Sequence, residues 1–151
     1  MANPPRIYLD AWALIRLFDE GDQARVRAES RAVEQFFTPV FQGTARWVMS
    51  EGLEAEILNN PYSGLRPALL TLLAASTERI VLSDAAFQRA DVLEMLGYGA
   101  FDALHLACAE QAQVEGLLTT DDRFIRRVRR GLGNSAIRVE NPVNSLRGFV
   151  P

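Results

Sequence analysis

The chain has 151 residues, of which 48% are hydrophobic and 23% charged, a composition typical of a folded globular domain and not of a disordered chain. Its formal net charge of −3 gives no global reason to expect a polyanionic partner, and one cysteine with one histidine can form neither an internal disulfide nor a zinc site. No apolar run approaches the ~20 residues of a membrane span, and the first residues lack a signal-peptide pattern, so we expect a single domain over residues 1–151, in the cytoplasm and without membrane association.

Short apolar segments alternate with amphipathic ones along the chain. The first half is predicted to contain a strand at 6–10, a long amphipathic helix at 21–43 with Pro39 near its end, a strand at 45–50 and helices at 51–61 and 64–76. The second half is predicted to contain a short strand at 79–82, helices at 83–96 and 99–114, a strand at 116–120, a helix at 121–130 and a last strand at 136–139. This alternation predicts an α/β domain in which helices flank a central parallel sheet.

Three of the predicted strands end in carboxylates. The segment "IYLD" ends at Asp10, "WVMSE" ends at Glu51 with Glu56 about a turn and a half further along, and "LLTTDD" ends at Asp121 and Asp122. Because the carboxyl ends of parallel strands lie along one edge of the sheet, where ligands bind, we expect these acids to converge.

A further carboxylate, Asp102, lies in "YGAFDALHLACA", which contains no other formally charged residue when the histidine is neutral. Helix capping is the alternative for each acid: it is favoured for Asp122 and left open for Glu51, but it explains Asp10 and Asp102 less well because apolar residues surround both. Several carboxylates at one site repel each other unless they take up protons or bind a cation. A hard divalent ion such as Mg²⁺ or Mn²⁺, which prefers oxygen ligands, would neutralise them.

Four acidic segments, "IYLDAWALIRLFDE", "VMSEGLEAEI", "GAFDALHLACAE" and "LLTTDDRF", occur in the order and spacing of PIN domains. Over about residues 6–143 the chain resembles this family of metal-dependent ribonucleases, which includes the VapC-type toxins of bacterial toxin–antitoxin pairs. The resemblance implies a single three-layer PIN-like domain. The nearest branch of the family has arginine, phenylalanine and aspartate shortly after the first strand, matched here by Arg16, Phe18 and Asp19, with Arg25 and Glu29 downstream.

The resemblance also implies a set of catalytic residues that double as metal ligands, namely Asp10, Glu56, Asp102 and Asp121. Glu56 is preferred to Glu51 and Glu54 because the family's glutamate lies six residues after a serine at the strand end, here Ser50. Asp121 is preferred to Asp122 because the family's motif places a threonine two residues before the aspartate and an aromatic or aliphatic residue three residues after it. Residues that could support the ligands from behind are Ser50, Glu51, Thr119 and Asp122.

The implied activity is hydrolysis of RNA phosphodiester bonds by a Mg²⁺-dependent endoribonuclease, with Mn²⁺ as a possible substitute and one or two ions bound. The resemblance further implies the toxin of a type II toxin–antitoxin pair, a cognate antitoxin protein as partner, and a homodimer.

One departure from the family leaves an alternative open. The family usually follows the first aspartate with a small hydroxyl or amide residue, but here Ala11 and Trp12 occupy those places. Ser50, Thr119 or Thr120 could compensate; if they do not, the chain is a catalytically degenerate PIN-like module that binds RNA or protein. An unrelated flavodoxin-like or response-regulator-like protein also gathers acids at strand ends, but gives no reason for Asp102.

Other side chains are weighed between a functional and a structural role. All sixteen basic residues are arginines, and four of them share one arc of the predicted helix at 121–130, where they could contact RNA phosphates, meet an acidic antitoxin surface, or simply be solvated: Arg123, Arg126, Arg127 and Arg130. For His105, hydrogen bonding inside the fold is favoured over catalysis. Cys108 is expected to pack in a helix.

The aromatic pairs of the first half are expected to serve the core or an interface more often than to stack on bases. These pairs are Phe36 with Phe37 and Trp12 with Phe18. The long helix with Phe37 and Phe41 could also supply a dimer or antitoxin surface.

Overall fold

A five-stranded parallel sheet forms the centre of the protein, whose computed structural model describes residues 3–59 and 63–144. The strands, in chain order, are β1 (Arg6–Leu9), β2 (Arg46–Ser50), β3 (Glu78–Ile80), β4 (Gly116–Leu118) and β5 (Arg138–Glu140). They are arranged as β3-β2-β1-β4-β5, and every neighbouring pair is parallel. The chain therefore builds outward from β1 in one direction and then returns to its other side, so that the strand order reverses between β1 and β4.

Helices cover both faces of the sheet. They are α1 (Ala11–Ile15), α2 (Ala24–Phe41), α3 (Glu51–Leu58), α4 (Arg66–Leu73), α5 (Asp84–Met95), α6 (Ala100–Ala112) and α7 (Asp122–Arg129), with short 3₁₀ turns at Arg16–Phe18, Ser63–Leu65 and Leu132–Asn134. None of the helices within the described ranges is long and apolar enough to cross a membrane.

Alternate side chains of β1 enter two separate cores. Ile7 and Leu9 pack with residues of α1 to α4, whereas Tyr8 packs with residues of α5, α6 and α7. All three side chains are fully buried, which is why the strand is apolar without interruption. The predicted three-layer α/β architecture is confirmed.

Helix α6, the second helix of the second half, lies largely inside the fold. Its buried residues include Leu106, Ala107, Cys108 and Ala109, in agreement with the prediction that this segment lies inside the fold and that the cysteine packs within it.

Most differences from the predicted elements occur at the carboxyl ends of the strands. The chain leaves β1 at Leu9 and β4 at Leu118, one and two residues earlier than predicted, because Asp10 and Asp121 already cap the following helices. The long helix begins at Ala24 and contains Pro39 in its last turn. The end of the helix predicted at 51–61 falls partly outside the described residues.

Candidate active site

The four acids singled out from the sequence lie around the carboxyl ends of β1, β2 and β4. Asp10 directly follows β1 and its backbone N–H donates to the carbonyl of Leu118, the last residue of β4. Asp121 follows β4, Glu56 lies in α3 after β2, and Asp102 lies in the first turn of α6. This is the point where the strand order reverses, and the crevice at such a point is the usual ligand site of an open parallel sheet.

Asp10 is the most buried of these carboxylates, with no exposed surface. Its Oδ1 atom accepts a hydrogen bond of 2.9 Å from the Ala13 N–H and so caps α1. Its Oδ2 atom is buried and has no hydrogen-bond partner in the part of the chain that the structure describes. Burial and the nearby Glu56 carboxylate raise the pKa of Asp10 to about 8, against the opposing effects of His105 and the Thr119 hydroxyl.

Glu56 reaches Asp10 from the neighbouring helix and is held by two donors. Its Oε1 atom lies 3.0 Å from His105 Nε2 and accepts a weaker bond, 3.3 Å, from the Ala11 N–H. The imidazole is fully buried, as the sequence analysis favoured, and its other nitrogen, Nδ1, lies 2.6 Å from the Tyr8 hydroxyl. Burial lowers the pKa of His105, but Glu56 and the two nearby aspartates outweigh burial and raise it above its usual value.

The hydrogen bonds continue from the histidine into the core. The Tyr8 hydroxyl lies 2.7 Å from Ser50 Oγ, and that oxygen accepts a bond from the Leu53 N–H at the start of α3. Ser50 therefore caps the helix that carries Glu56, and the same helix is tied back to β1 and α6 through Tyr8 and His105. This buried network orients the Glu56 carboxylate through its hydrogen bond with His105.

Asp102 and Asp121 form the second half of the acidic edge. Asp102 is partly buried, and its carboxylate accepts no hydrogen bond from any described residue. Burial and the charge of Asp121 raise the pKa of Asp102 to about 7. The Oδ1 atom of Asp121 caps α7, accepting from the Arg123 N–H at 2.9 Å and the Phe124 N–H at 3.4 Å.

The side chains proposed to support the ligands divide into two groups. Ser50 belongs to the buried network, and Thr119 Oγ1 accepts a bond of 3.1 Å from the Asp121 N–H. Glu51 turns away and accepts from the Leu82 N–H at 2.8 Å. Asp122 also turns away: it pairs with both terminal nitrogens of Arg25, at 2.8 and 2.9 Å.

Asp122 lies in the first turn of α7, the position that the capping interpretation favours for an acid, but the N-cap hydrogen bonds come from Asp121 and the Asp122 carboxylate pairs with Arg25. The Arg25 guanidinium, which holds Asp122, also lowers the pKa of that carboxyl.

The four acids offer the oxygen ligands that a hard divalent cation prefers, but their side chains are not grouped around one point. All four offer carboxylate oxygens, Asp10 keeps a buried oxygen without a partner, and two of the acids have raised pKa values partly through their neighbours' charge. Within residues 3–59 and 63–144, however, no three His, Cys, Asp or Glu side chains are grouped closely enough to form a ready metal site. Mutual repulsion and local donors hold the carboxylates apart: Glu56 points to His105, and one oxygen of Asp121 points to the start of α7.

An arginine-rich cleft of about 570 Å³ adjoins Asp121. Its lining includes Trp12 and Arg16 from the first helical segment, Arg25 from α2, and Arg123 and Arg126 from α7. Of the four arginines predicted on one arc of α7, these last two face the cleft. Arg127 lies close enough to Asp102 to lower the pKa of that carboxyl slightly, and Arg130 ends the helix.

The sequence analysis assigned no supporting role to Tyr8 or to the side chain of Glu29. Tyr8 reads as one more apolar residue of β1, although a tyrosine in a fully buried strand needs a partner for its hydroxyl. Glu29 is 1% exposed and accepts from Arg16 Nε at 2.9 Å and from Arg25 Nε at 3.2 Å, so it holds both arginines beside the cleft. Its position in a helix of alternating charges gives no sign of this burial.

Comparison with known proteins identifies the family. The PIN domain model matches residues 7–130. Among solved structures, the chain is similar to VapBC2 from Rickettsia felis bound to a DNA fragment from their promoter, with a TM-score of 0.60 and 14% identity over 90% of this chain and 98% of the other. It is also similar to FitAB bound to an IR36 DNA fragment, with a TM-score of 0.57 and 16% identity over 91% and 96% of the two chains. A search of curated proteins gave no match. The match of the family model to most of the chain shows that this protein belongs to the PIN domain family.

Proposed function

We propose that the protein is a metal-dependent endoribonuclease that hydrolyses RNA phosphodiester bonds. The observation that carries this proposal is Asp10, a fully buried carboxylate with one oxygen lacking a partner, next to a second carboxylate at the ligand-binding edge of the sheet. Burying such a charge costs several kcal/mol unless something neutralises it. A proton or a cation can neutralise it, and because Glu56 adds a second carboxylate beside Asp10 we propose a divalent cation supplied from outside the chain.

The residues proposed to hold the ion, Mg²⁺ or Mn²⁺, are Asp10, Glu56, Asp102 and Asp121. A divalent ion supplies Lewis-acid polarisation of a phosphate and lowers the pKa of a water molecule, which is the chemistry that phosphodiester hydrolysis needs. The number of ions, one or two, is not part of the proposal.

The chain's own residues position the reactants. Tyr8 and His105 fix one oxygen of Glu56, and the α1 cap fixes one oxygen of Asp10, so that the remaining oxygens of both side chains would be available to an ion. Arg123 and Arg126 border the cleft beside Asp121, where their guanidinium groups bind the phosphates that flank the cleaved bond.

We infer that the physiological role is that of a toxin in a type II toxin–antitoxin pair. The VapC-type motifs in the sequence support this inference, and so does the fold shared with VapBC2 and FitAB. On the same grounds we propose a cognate antitoxin protein as partner, RNA as substrate, and a homodimer as the working form in the cytoplasm.

The test is RNA cleavage by the purified protein with Mg²⁺, with Mn²⁺ and with EDTA. We expect metal-dependent fragments that disappear in EDTA and with Asp10→Asn or Asp102→Asn. Glu54→Gln is the matched control because Glu54 lies on the same helix as Glu56 but pairs with Arg79 at the surface, at 2.9 Å. Metal-dependent cleavage that survives both Asp→Asn variants would come from another protein in the preparation and would count against the proposal.

A second function is favoured by one observation, the absence of a ready group of three metal ligands among the described residues. On this alternative the chain is a PIN-like module that binds RNA or protein without cutting. Retained RNA binding, unchanged by metal and without fragments, would favour this alternative.

A further inference from the structure

Trp12 stands out because it follows the first acid by two residues and is still 41% exposed. Its neighbours in α1, Ala11, Ala13 and Leu14, are buried against the core. Phe36 and Phe37 are buried, so the prediction of a core role holds for that pair. Trp12 is not a core residue, and the interface role also predicted for it stays a prediction: its side chain is partly exposed, which is unusual for so large an apolar group.

The backbone of Trp12 is anchored beside the acidic edge. The carbonyl of Trp12 accepts a bond of 3.4 Å from the Thr120 hydroxyl, which lies in the loop between β4 and Asp121. Trp12 and Asp121 line the same cleft. The short helix α1 and this loop therefore hold the ring beside the proposed catalytic site without covering it.

Arginines outnumber acids in the cleft that Trp12 lines: its charged residues are Arg16, Arg25, Arg123 and Arg126 with Asp121 and Asp122. Arg16 and Arg25 are held at the cleft by the buried Glu29. Arg123 and Arg126 are exposed on the opposite wall and form no ion pair with another residue of the described ranges. Two cations are thus free to meet an anion within the space that the indole borders.

A second aromatic side chain extends the same surface. Phe18 is 36% exposed and lines, together with Trp12, Arg16 and Leu65, an adjoining cleft of about 350 Å³. Exposed aromatic rings next to arginines are the combination with which proteins bind single-stranded nucleic acids, because bases stack on the rings while the cations track the phosphates.

We propose that Trp12 is a stacking platform for an unpaired nucleobase of the substrate, next to the phosphate held at the acidic edge. This inference rests on the proposed nuclease function and deepens it: the substrate must be single-stranded, or have a base flipped out, where it meets Trp12. A base inside a duplex cannot stack there because both of its faces are already covered. Stacking is tolerant of sequence, so Trp12 selects strandedness and not base identity.

Tryptophan fluorescence tests the proposal without cleavage. The chain has two tryptophans, and Trp47 is only 1% exposed, so solvent-exposed emission reports on Trp12. In EDTA, a single-stranded RNA oligonucleotide should quench this emission, and a fully paired, blunt-ended duplex of the same sequence should quench it far less. Replacing the base at one position after another with an abasic nucleotide should locate the one base on which the quenching depends.

Kinetics supply the second readout. For a single-stranded substrate we expect Trp12→Ala to raise KM about tenfold with a smaller change in kcat, and Trp12→Phe to restore most of the loss, because phenylalanine keeps a ring. Phe87→Ala is the control, since Phe87 is 45% exposed on α5 and borders neither cleft.

The outcomes separate this proposal from the nuclease function. Cleavage with an unchanged KM for Trp12→Ala and no quenching would overturn the stacking site and leave the nuclease standing. Quenching by the single strand without metal-dependent cleavage would support the stacking site and overturn the nuclease function. Equal quenching by the fully paired duplex and the single strand, or quenching by an acidic peptide alone, would overturn the proposal because the surface would then bind duplex or protein.

Discussion

The charged residues at the two ends of strand β1, Arg6 and Asp10, are only four positions apart but have opposite environments. At the amino end, Arg6 Nε and one terminal nitrogen pair with Glu78 at 3.0 and 2.6 Å, and its backbone N–H donates to Glu115. At the carboxyl end, Asp10 has a buried oxygen without a partner and a carboxylate, Glu56, as its charged neighbour. Among the described residues, the charge at the amino end has a partner of opposite charge, and the carboxylate at the carboxyl end has none.

The difference also shows in the direction of the pKa shifts. Hydrogen bonding to Arg6 lowers the pKa of Glu78, so the folded state favours the ionised form of that acid. Burial and Glu56 raise the pKa of Asp10, so the folded state disfavours its ionised form. Glu78 thus has a cationic partner in the chain, whereas Asp10 has none among the described residues, and on the proposed function a metal ion would supply it.

The largest effect is expected from neutralising Asp10. Asn keeps an oxygen for the α1 cap but lacks the charge, so Asp10→Asn should lower kcat/KM for RNA cleavage by at least about 100-fold, more than the 10- to 100-fold loss typical of residues that only support metal ligands. The measurement is single-turnover cleavage at saturating Mn²⁺. An unchanged circular dichroism spectrum serves as the control for folding, and a loss under tenfold would contradict the account.

The next effect concerns stability and has the opposite sign. Because the pKa of Asp10 is about 8 in the folded protein and near 4 in an unfolded chain, the folded state keeps a proton that the unfolded state releases. The stability associated with that proton is present at low pH and is lost as pH rises toward 8. In EDTA at pH 9, Asp10→Asn should therefore raise the free energy of unfolding, by on the order of 2 kcal/mol, relative to the parent protein.

Urea denaturation from pH 5 to pH 9 measures this effect. The gap between the two proteins should widen with pH, and excess Mn²⁺ should close it at high pH by stabilising the parent protein only. A gap that is constant with pH would mean that Asp10 is not protonated in the folded state, which would remove the electrostatic basis of the comparison.

A smaller effect is expected from the network beneath the site. Tyr8→Phe removes the hydroxyl that contacts both His105 and Ser50, so Glu56 should be less well oriented and Mn²⁺ affinity should fall about tenfold. Because the chain has one histidine, the imidazole ¹⁵N resonances of His105 should shift in the variant and need no assignment. The binding is measured by isothermal titration calorimetry.

Tyr98→Phe is the matched control for that experiment. Tyr98 is also buried, and its hydroxyl donates to the Leu132 carbonyl at 2.8 Å, away from Glu56. Tyr98→Phe loses one buried hydrogen bond and should cost about 1 kcal/mol of stability, whereas Tyr8→Phe loses two and should cost about 2 kcal/mol. Equal metal affinities for the two variants would show that the Tyr8 network serves the fold alone.

The smallest effect lies at the amino end of β1. Glu78→Gln leaves the Arg6 guanidinium without its charged partner, and since both side chains are about a quarter exposed we expect a loss of only about 1 kcal/mol, with RNA cleavage unchanged. Thermal unfolding and cleavage rates measure the two quantities. A substantial loss of RNA cleavage would contradict the account, because it would mean that the Arg6–Glu78 pair also serves the activity.

Periodicity and strand-end acids were sufficient to predict the architecture and the edge on which the acids lie. Uninterrupted apolar segments such as Ile7 to Leu9 indicate strands buried on both faces, and this information is local. The pairing of Asp122 is not local, because its partner Arg25 is 97 residues away in the chain. The direction of the Asp122 carboxylate, away from the acidic edge, therefore depends on a contact that no local pattern contains.

The exposure of Trp12 and the burial of Glu29 were hidden for a related reason. Both lie on helices whose faces are decided by how α1 and α2 pack against the rest of the fold, and in each case one residue departs from its usual environment. Such departures from the general pattern concentrate at functional sites. Local propensity describes the usual environment and so fails at these positions.

The most direct test of the incomplete end of β1 is a crystal structure of the protein soaked in Mn²⁺, with anomalous diffraction to locate the ion. The account predicts an anomalous peak in contact with the free oxygen of Asp10, and side chains of the other edge acids turned toward it. A fully occupied peak elsewhere, or an edge in which arginines and backbone amides satisfy every carboxylate with no space for an ion, would contradict it.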